Sequence, residues 1–347
     1  MSRTIAFAFP GDLALNTGGY AYDRRAIDGL RTRGWEVQCL QLGDGFPNPS
    51  SETKARAEDL LSRLPDGAQV VVDGLAFGVL DTWAERESKR LRIVALVHHP
   101  LALETGLDAE QQQDLAASER QALAWAKHVI VTSPMTAREL TSSYNVPSEK
   151  ITVAIPGTEP GALASCEGEP AHIVSIGTLI PRKGHDVLIA ALKRIEHLSW
   201  TVTIVGSHDL SPTTAREIEV QLGESGLAER VSLAGEVADV RPILASADIF
   251  ALASRFEGYG MVFAEALSHG LPIVACRTGA VPDVVPEEAG ILTGVDDIDA
   301  FAAALGSLVT DRGMRRRKAE AARHAGALLP NWNRTVGIIA DRLETLP

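Results

Sequence analysis

Two doubly wound α/β domains facing across a cleft are the fold class that the sequence predicts, on three observations. Strand-like apolar runs alternate with helical segments along nearly the whole chain. The alternation halts once, in a stretch rich in proline, glycine and small residues over 156–170 that reads as an interdomain linker, and then begins again. A length of 347 residues is enough for two domains, each with its own core. The predicted division is residues 1–160, with a C-terminal helix at about 330–347, and residues 161–329.

In the first half, Thr4–Phe9 reads as a buried strand. Asn16-Thr17-Gly18-Gly19 then opens a helix from about Tyr20 to Arg33. Strand, glycine loop and helix together bring backbone N–H groups to a ligand cleft. Glu36–Leu42 is a second strand and Thr53–Leu64 a helix. Gln69–Val72 is apolar enough for a parallel sheet covered on both faces. Arg92–Val97 ends in His98-His99-Pro100, and the carboxyl end of such a strand is where clefts form. After the helix Asp108–Ala126 and the strand His128–Thr132, Ser133 caps the helix Met135–Tyr144, and Ile151–Ile155 closes this half.

In the second half, the strand His172–Ile176 leads into a loop carrying Arg182 and Lys183, two adjacent cations able to neutralise a diphosphate without a metal. Asp186–His197 and Ala215–Ser225 read as helices; Thr201–Val205, Val231–Ala234, Ile249–Ala253, Ile273–Cys276 and Gly290–Leu292 read as strands. Between the strands at 249 and 273 lies the most informative stretch. Glu257 sits on a glycine-hinged turn, Gly258-Tyr259-Gly260, and a helical run beginning Met261-Val262 carries a second carboxylate, Glu265. Glycines let backbone N–H groups approach a ligand, and a helix start favours a phosphate. Glu265 is five residues past Gly260, about 7.5 Å along a helix, which is the reach from a nucleotide's phosphates to its ribose. Pro330-Asn331-Trp332 introduces the last helix, Asn333–Leu346.

Composition excludes several classes. The net charge of −12 divides into −5 on residues 1–160 and −7 on the remainder, and neither half has the field that nucleic-acid binding requires. Cys39, Cys166 and Cys276 are too scattered for a disulfide framework or a metal site and read as reduced thiols. The apolar run Ile5–Phe9 is too short for a signal sequence or a membrane span, so the expected location is cytoplasmic. Basic clusters at Arg24, Arg25, Arg31 and Arg33, at Arg86–Arg92 and at Arg315–Lys318 leave peripheral membrane contact open; acidic residues interrupt the first two.

The run Arg255–Ala266, continuing through His269-Gly270-Leu271-Pro272, resembles the E-x7-E signature of the retaining family 4 glycosyltransferases, and fainter similarity covers most of the chain. The resemblance implies the GT-B architecture and a nucleotide diphosphate sugar donor, with no further cofactor and no metal. It assigns Lys183 to the diphosphate, with Arg182 standing in for the arginine usual at Thr178, and His99, better than His98, to the donor sugar. Gly18 and Gly19 would approach the donor diphosphate or the acceptor, and Gly235 and Val237 would pass under the base. Gly258, Tyr259, Gly260, Met261 and Val262 would cradle the phosphates, with Glu257 on the sugar and Glu265 on the ribose. The implied acceptor is a small molecule, glycan or lipid, held by the first domain. Ala280 stands where the family has a second glycine, so a different local turn is expected there. Asp297-Ile298-Asp299 matches a bare D-x-D metal motif but reads as helix capping, and no other cluster shows ligand spacing. An epimerase of the same fold and a non-catalytic nucleotide-sugar-binding protein fit the same residues.

Overall fold

The computed structural model describes residues 3–346. The chain forms two compact units, one running to Gly157 and resuming at Pro330, the other Thr158–Leu329. Each is built on a six-stranded parallel sheet.

In the first unit the strands are β1 (Arg3–Phe9), β2 (Trp35–Gln41), β3 (Gln69–Asp73), β4 (Arg92–Val97), β5 (His128–Val131) and β6 (Ile151–Val153), in spatial order β2-β1-β3-β4-β5-β6. Successive side chains of a strand point to opposite faces. Val70 and Val72 therefore join a core with Leu61, Trp83, Leu123 and Leu140, while Val71 joins another with Phe7, Tyr22, Leu30 and Ile339. The second core is roofed by the helix Gly18–Thr32 and the C-terminal helix Trp332–Thr345. That last helix is tied down by Thr335, which donates to Ile155 O at 2.7 Å, and by the Gln69 amide, which donates to Leu343 O at 3.0 Å.

In the second unit the strands are β7 (Ala171–Ile176), β8 (Trp200–Val205), β9 (Val231–Gly235), β10 (Ile249–Leu252), β11 (Ile273–Cys276) and β12 (Gly290–Thr293), in order β12-β11-β10-β7-β8-β9. This is the dinucleotide-fold order. In open α/β sheets ligands bind outside the carboxyl ends of the strands, where the strand order reverses. The reversal lies between β1 and β3 in the first unit and between β7 and β10 in the second.

The stretch expected to be a linker differs from expectation. From Thr158 it is packed into the second unit, with Ala164 and Cys166 buried. Asp248 accepts from Gly168 N–H and His172 N–H, both at 2.7 Å. Arg315, taken from the sequence as part of an exposed basic run, is 1% exposed and donates to the carbonyls of Cys166, Gly168, Leu308 and Val309. The cations of the first helix also have partners within the first unit, although Arg25, Arg31 and Arg33 stay exposed. Arg24 donates to Leu13 O and Leu15 O, Arg25 lies over the Trp332 ring, and Arg33 donates to Asn333. No helix among the described residues is long and apolar enough to cross a membrane.

Candidate functional site

At the reversal in the second unit, the loop after β7 and the loop after β10 meet on one carboxylate. Glu257 is buried, and its Oε1 receives hydrogen bonds from Lys183 Nζ and Ser254 Oγ, both at 2.6 Å. Arg182 Nη1 lies 3.8 Å from Oε2 and donates to Phe256 O. Burial opposes ionisation of Glu257, but Lys183 and Arg182, aided by Ser254, hold its carboxyl below the ordinary range. Two cations thus face one anion, and Lys183 keeps two of its three N–H donors for another partner. The displaced Arg182 reaches the same carboxylate as Lys183, although Thr178 occupies the position where the family has arginine.

The loops that carry these groups have little freedom. A Cβ on Gly279 would stand 2.2 Å from the backbone carbonyl oxygen of Glu257, so only glycine lets the neighbouring loop pack against the backbone of that residue. The positive φ is at Gly279, at +50°, whereas Ala280 has φ −85° and donates its N–H to Glu257 O at 2.9 Å. Ala280 is therefore not required to take a positive φ. Gly260, at φ +87°, caps the helix Met261–Ser268, and Tyr259 is buried beside it. Glu265 sits one turn inside that helix with no protein partner, and burial pushes its carboxyl up to about 7. Gly235 ends β9 and Val237 is half-buried in the following loop. Asp297 caps the helix Ile298–Thr310 by accepting from Ala300 N–H at 3.0 Å, and Asp299 pairs with Arg194, so the D-x-D residues serve separate structural ends.

The first unit has its own polar group at its reversal point. Gly18 and Gly19 open the first helix, with Thr17 as cap. A Cβ on Gly19 would stand 3.4 Å from the His98 ring. His98 Nε2 lies 3.2 Å from Asp23 Oδ1 and 3.3 Å from Asp73 Oδ2. Burial works against charge on the imidazole, but the two carboxylates outweigh it and raise its pKa; burial raises that of Asp23. His99 turns instead to Glu104, 3.3 Å away. Among the described residues Asp23, Asp73 and His98 form a group with metal-ligand spacing, which the sequence reading did not find because its members belong to three separate elements. Ser254 was missed too, although it lies in the same short stretch as Glu257.

The family described as Glycosyltransferase Family 4 matches residues 53–160, and that described as Glycosyl transferases group 1 matches residues 170–311. The chain belongs to glycosyltransferase family 4. Among the family's curated members it is 30% identical to the D-inositol 3-phosphate glycosyltransferase of Xylanimonas cellulosilytica, over 67% of this chain and 60% of that one. It is 33% identical to the GDP-mannose-dependent alpha-(1-6)-phosphatidylinositol monomannoside mannosyltransferase of Mycolicibacterium smegmatis, over 48% of this chain and 45% of that one. The chain spans about 60% of the length of the first curated relatives that it matches. The family's GT-B fold is shared with sucrose-phosphate synthase of Thermosynechococcus elongatus, at TM-score 0.83 and 21% identity over 99% of both chains. Anabaena HepE in complex with UDP-glucose superposes at TM-score 0.78 and 18% identity, over 99% of this chain and 100% of that one.

Proposed function

We propose that the chain is a retaining, metal-independent hexosyltransferase that moves a sugar from a UDP- or GDP-type donor to a hydroxyl acceptor, a cell-envelope glycan or glycolipid. The observation that carries this is the buried Lys183–Glu257–Ser254 group beside the Gly260 helix start, with the unpartnered Glu265 one turn on. A leaving diphosphate develops negative charge as the sugar departs. Preorganised donors aimed at that charge lower the barrier. Lys183 and Arg182 supply them, and the N–H groups of Met261 and Val262 at the helix start add a third element.

Glu257, held ionised, accepts hydrogen bonds from sugar hydroxyls, and Glu265 from the ribose. Gly235 and Val237 offer backbone groups to the base. The acceptor is assigned to the first unit, where Gly18 and Gly19 lie, and His99 is assigned to the donor sugar near the reacting carbon. In the reaction the C1–O bond to the diphosphate breaks and a C1–O bond to the acceptor oxygen forms on the same face. The acceptor's proton passes to a departing phosphate oxygen, so no separate carboxylate base is needed. The expected location is cytoplasmic or peripheral at the inner face of the membrane. GDP-mannose and inositol phosphates, named for relatives, head the donor and acceptor panels to be screened.

The test is a panel of α-linked sugar nucleotides, first for slow hydrolysis and then with hydroxyl acceptors, with the anomeric proton coupling of the product read by NMR. An α-linked product is expected. A β-linked product would sink the mechanism, and conversion of the donor to an epimeric sugar without transfer to any acceptor would favour an epimerase.

A further inference from the structure

Arg182 and Lys183 sit on a single tight turn, Pro181–Lys183, in the loop after β7. Long side chains on so short an element stay aimed only if something outside the turn holds it. Arg255, in the loop after β10, takes no part in the chemistry assigned above and supplies that hold. Its N–H donates to Arg182 O at 2.8 Å, and its guanidinium donates to Pro181 O. Arg182 answers from the other side, with Nη1 donating to Phe256 O at 3.2 Å. Three hydrogen bonds thus join the cation-bearing loop to the carboxylate-bearing one, beside the contact of Lys183 with Glu257.

The Arg255 guanidinium is itself fixed. Nη1 and Nη2 meet the two oxygens of Asp186 at 3.1 and 2.7 Å, and Nε donates to Asp296 Oδ1 at 2.8 Å. An exposed single ion pair contributes little, but a bidentate fork adds direction as well as energy. Here the arginine side chain is only 25% exposed. Asp186 lies in the first turn of the helix His185–Arg194, and Asp296 lies in the loop after β12. Thr278, in the loop after β11, donates its hydroxyl to Arg255 O at 2.8 Å. One residue therefore draws the loops after β7, β11 and β12 onto its own. Engaged in this way, Asp186 is also withheld from Lys183, which stands three residues before it.

We propose that Arg255 is a positioning residue for diphosphate binding. It acts through Arg182 and Lys183, whose turn it locks against the loop that carries Glu257. The inference rests on the reading that those two cations meet a nucleoside diphosphate. An ammonium or guanidinium on a loosened turn still carries its charge but no longer points it, and misplacement by an ångström is enough to be felt at such a site.

The test titrates the full chain with UDP and with GDP by calorimetry, each variant being checked for retained fold by circular dichroism. Arg255→Ala should weaken the better-bound nucleotide by roughly tenfold, within the range of coupling between residues in contact. Made on top of Lys183→Ala, the same substitution should cost less than about threefold, because much of what it positions is already gone. Arg255→Lys keeps a cation for Asp186 but not the fork; it should hold the fold and still weaken binding, by a smaller factor than the alanine. Unchanged affinity in Arg255→Ala and Arg255→Lys overturns the inference. Losses that simply multiply in the Arg255→Ala, Lys183→Ala chain overturn it equally and leave Arg255 as a structural tie. A wild-type chain that binds neither UDP nor GDP is a different result: it removes the reading of the site, and the inference falls with it.

Discussion

The two units place polar groups at the same topological position with opposite charge. In the second, Arg182 and Lys183 surround Glu257, a net excess of one positive charge. In the first, Asp23 and Asp73 flank His98, and the excess is negative. Fold alone therefore does not say what binds at a strand-order reversal; the sign of the buried charge does. A positive pocket beside a helix N-terminus suits a diphosphate, whereas a negative pocket suits a cation. This contrast can be broken or sharpened by substitution, beginning where the effect should be greatest.

Lys183→Ala should lower donor turnover by about a hundredfold or more, the typical loss for one contact made to transition-state charge. It also strips Glu257 of its nearest cation, so the carboxyl pKa should rise. Arg182→Ala should cost less, because its guanidinium stands farther from the carboxylate. Steady-state kinetics on both variants decide this, and equal, small effects would mean that the positive pocket does not hold the phosphates.

Glu257→Gln comes next, with kcat lowered by about tenfold or more, because an amide accepts more weakly from sugar hydroxyls than the ionised carboxylate does. His99→Ala should likewise slow the chemical step with little change in donor affinity. A rise in KM at unchanged kcat in either variant would reassign that residue to ground-state binding.

Glu265 tests the pocket through pH. Its carboxyl is raised from 4.5 to about 7 by burial. The folded state therefore holds the proton between those values while the unfolded chain has lost it, and stability falls as pH rises through that window. Donor affinity should move the other way, climbing by roughly tenfold as the carboxylate forms and accepts the ribose hydroxyls. Equilibrium titration with the nucleoside diphosphate from pH 5.5 to 8.5 reads this, and Glu265→Gln should bind weakly and flatten the profile. A profile unchanged by that substitution would remove Glu265 from the ribose.

The two sites also differ in how far they could be read from the chain alone. The second unit's site is written in contiguous stretches: Arg182 and Lys183 are adjacent, and Ser254, Glu257, Gly260 and Glu265 fall within twelve residues, so local spacing carries the geometry. The strands were legible as well, because a parallel sheet covered on both faces demands runs such as Val70–Val72 and Ile249–Leu252. Asp23, Asp73 and His98 come together only through tertiary packing. Asp23 looked like an acid interrupting a solvated basic face, yet it is fully buried. One signal was present: Asp73 closes an apolar strand whose neighbour in the sheet, β4, runs on to His98. Arg315 misled for a related reason. Four consecutive basic residues look like surface, and nothing local reveals that one of them turns inward to carbonyls near residue 166.

The smallest expected effect is the sharpest test of the contrast. If Arg182, Lys183 and the Gly260 helix start neutralise the phosphates, slow hydrolysis of the bound donor without acceptor should proceed unchanged in excess EDTA. A metal at the phosphates would need carboxylate ligands there. Glu257, the carboxylate beside Lys183, is already engaged by Lys183 and Ser254, and Asp297 and Asp299 serve a helix cap and a surface ion pair. Donor hydrolysis lost in EDTA and restored by magnesium or manganese would place a metal at the phosphates and erase the distinction between the two sites.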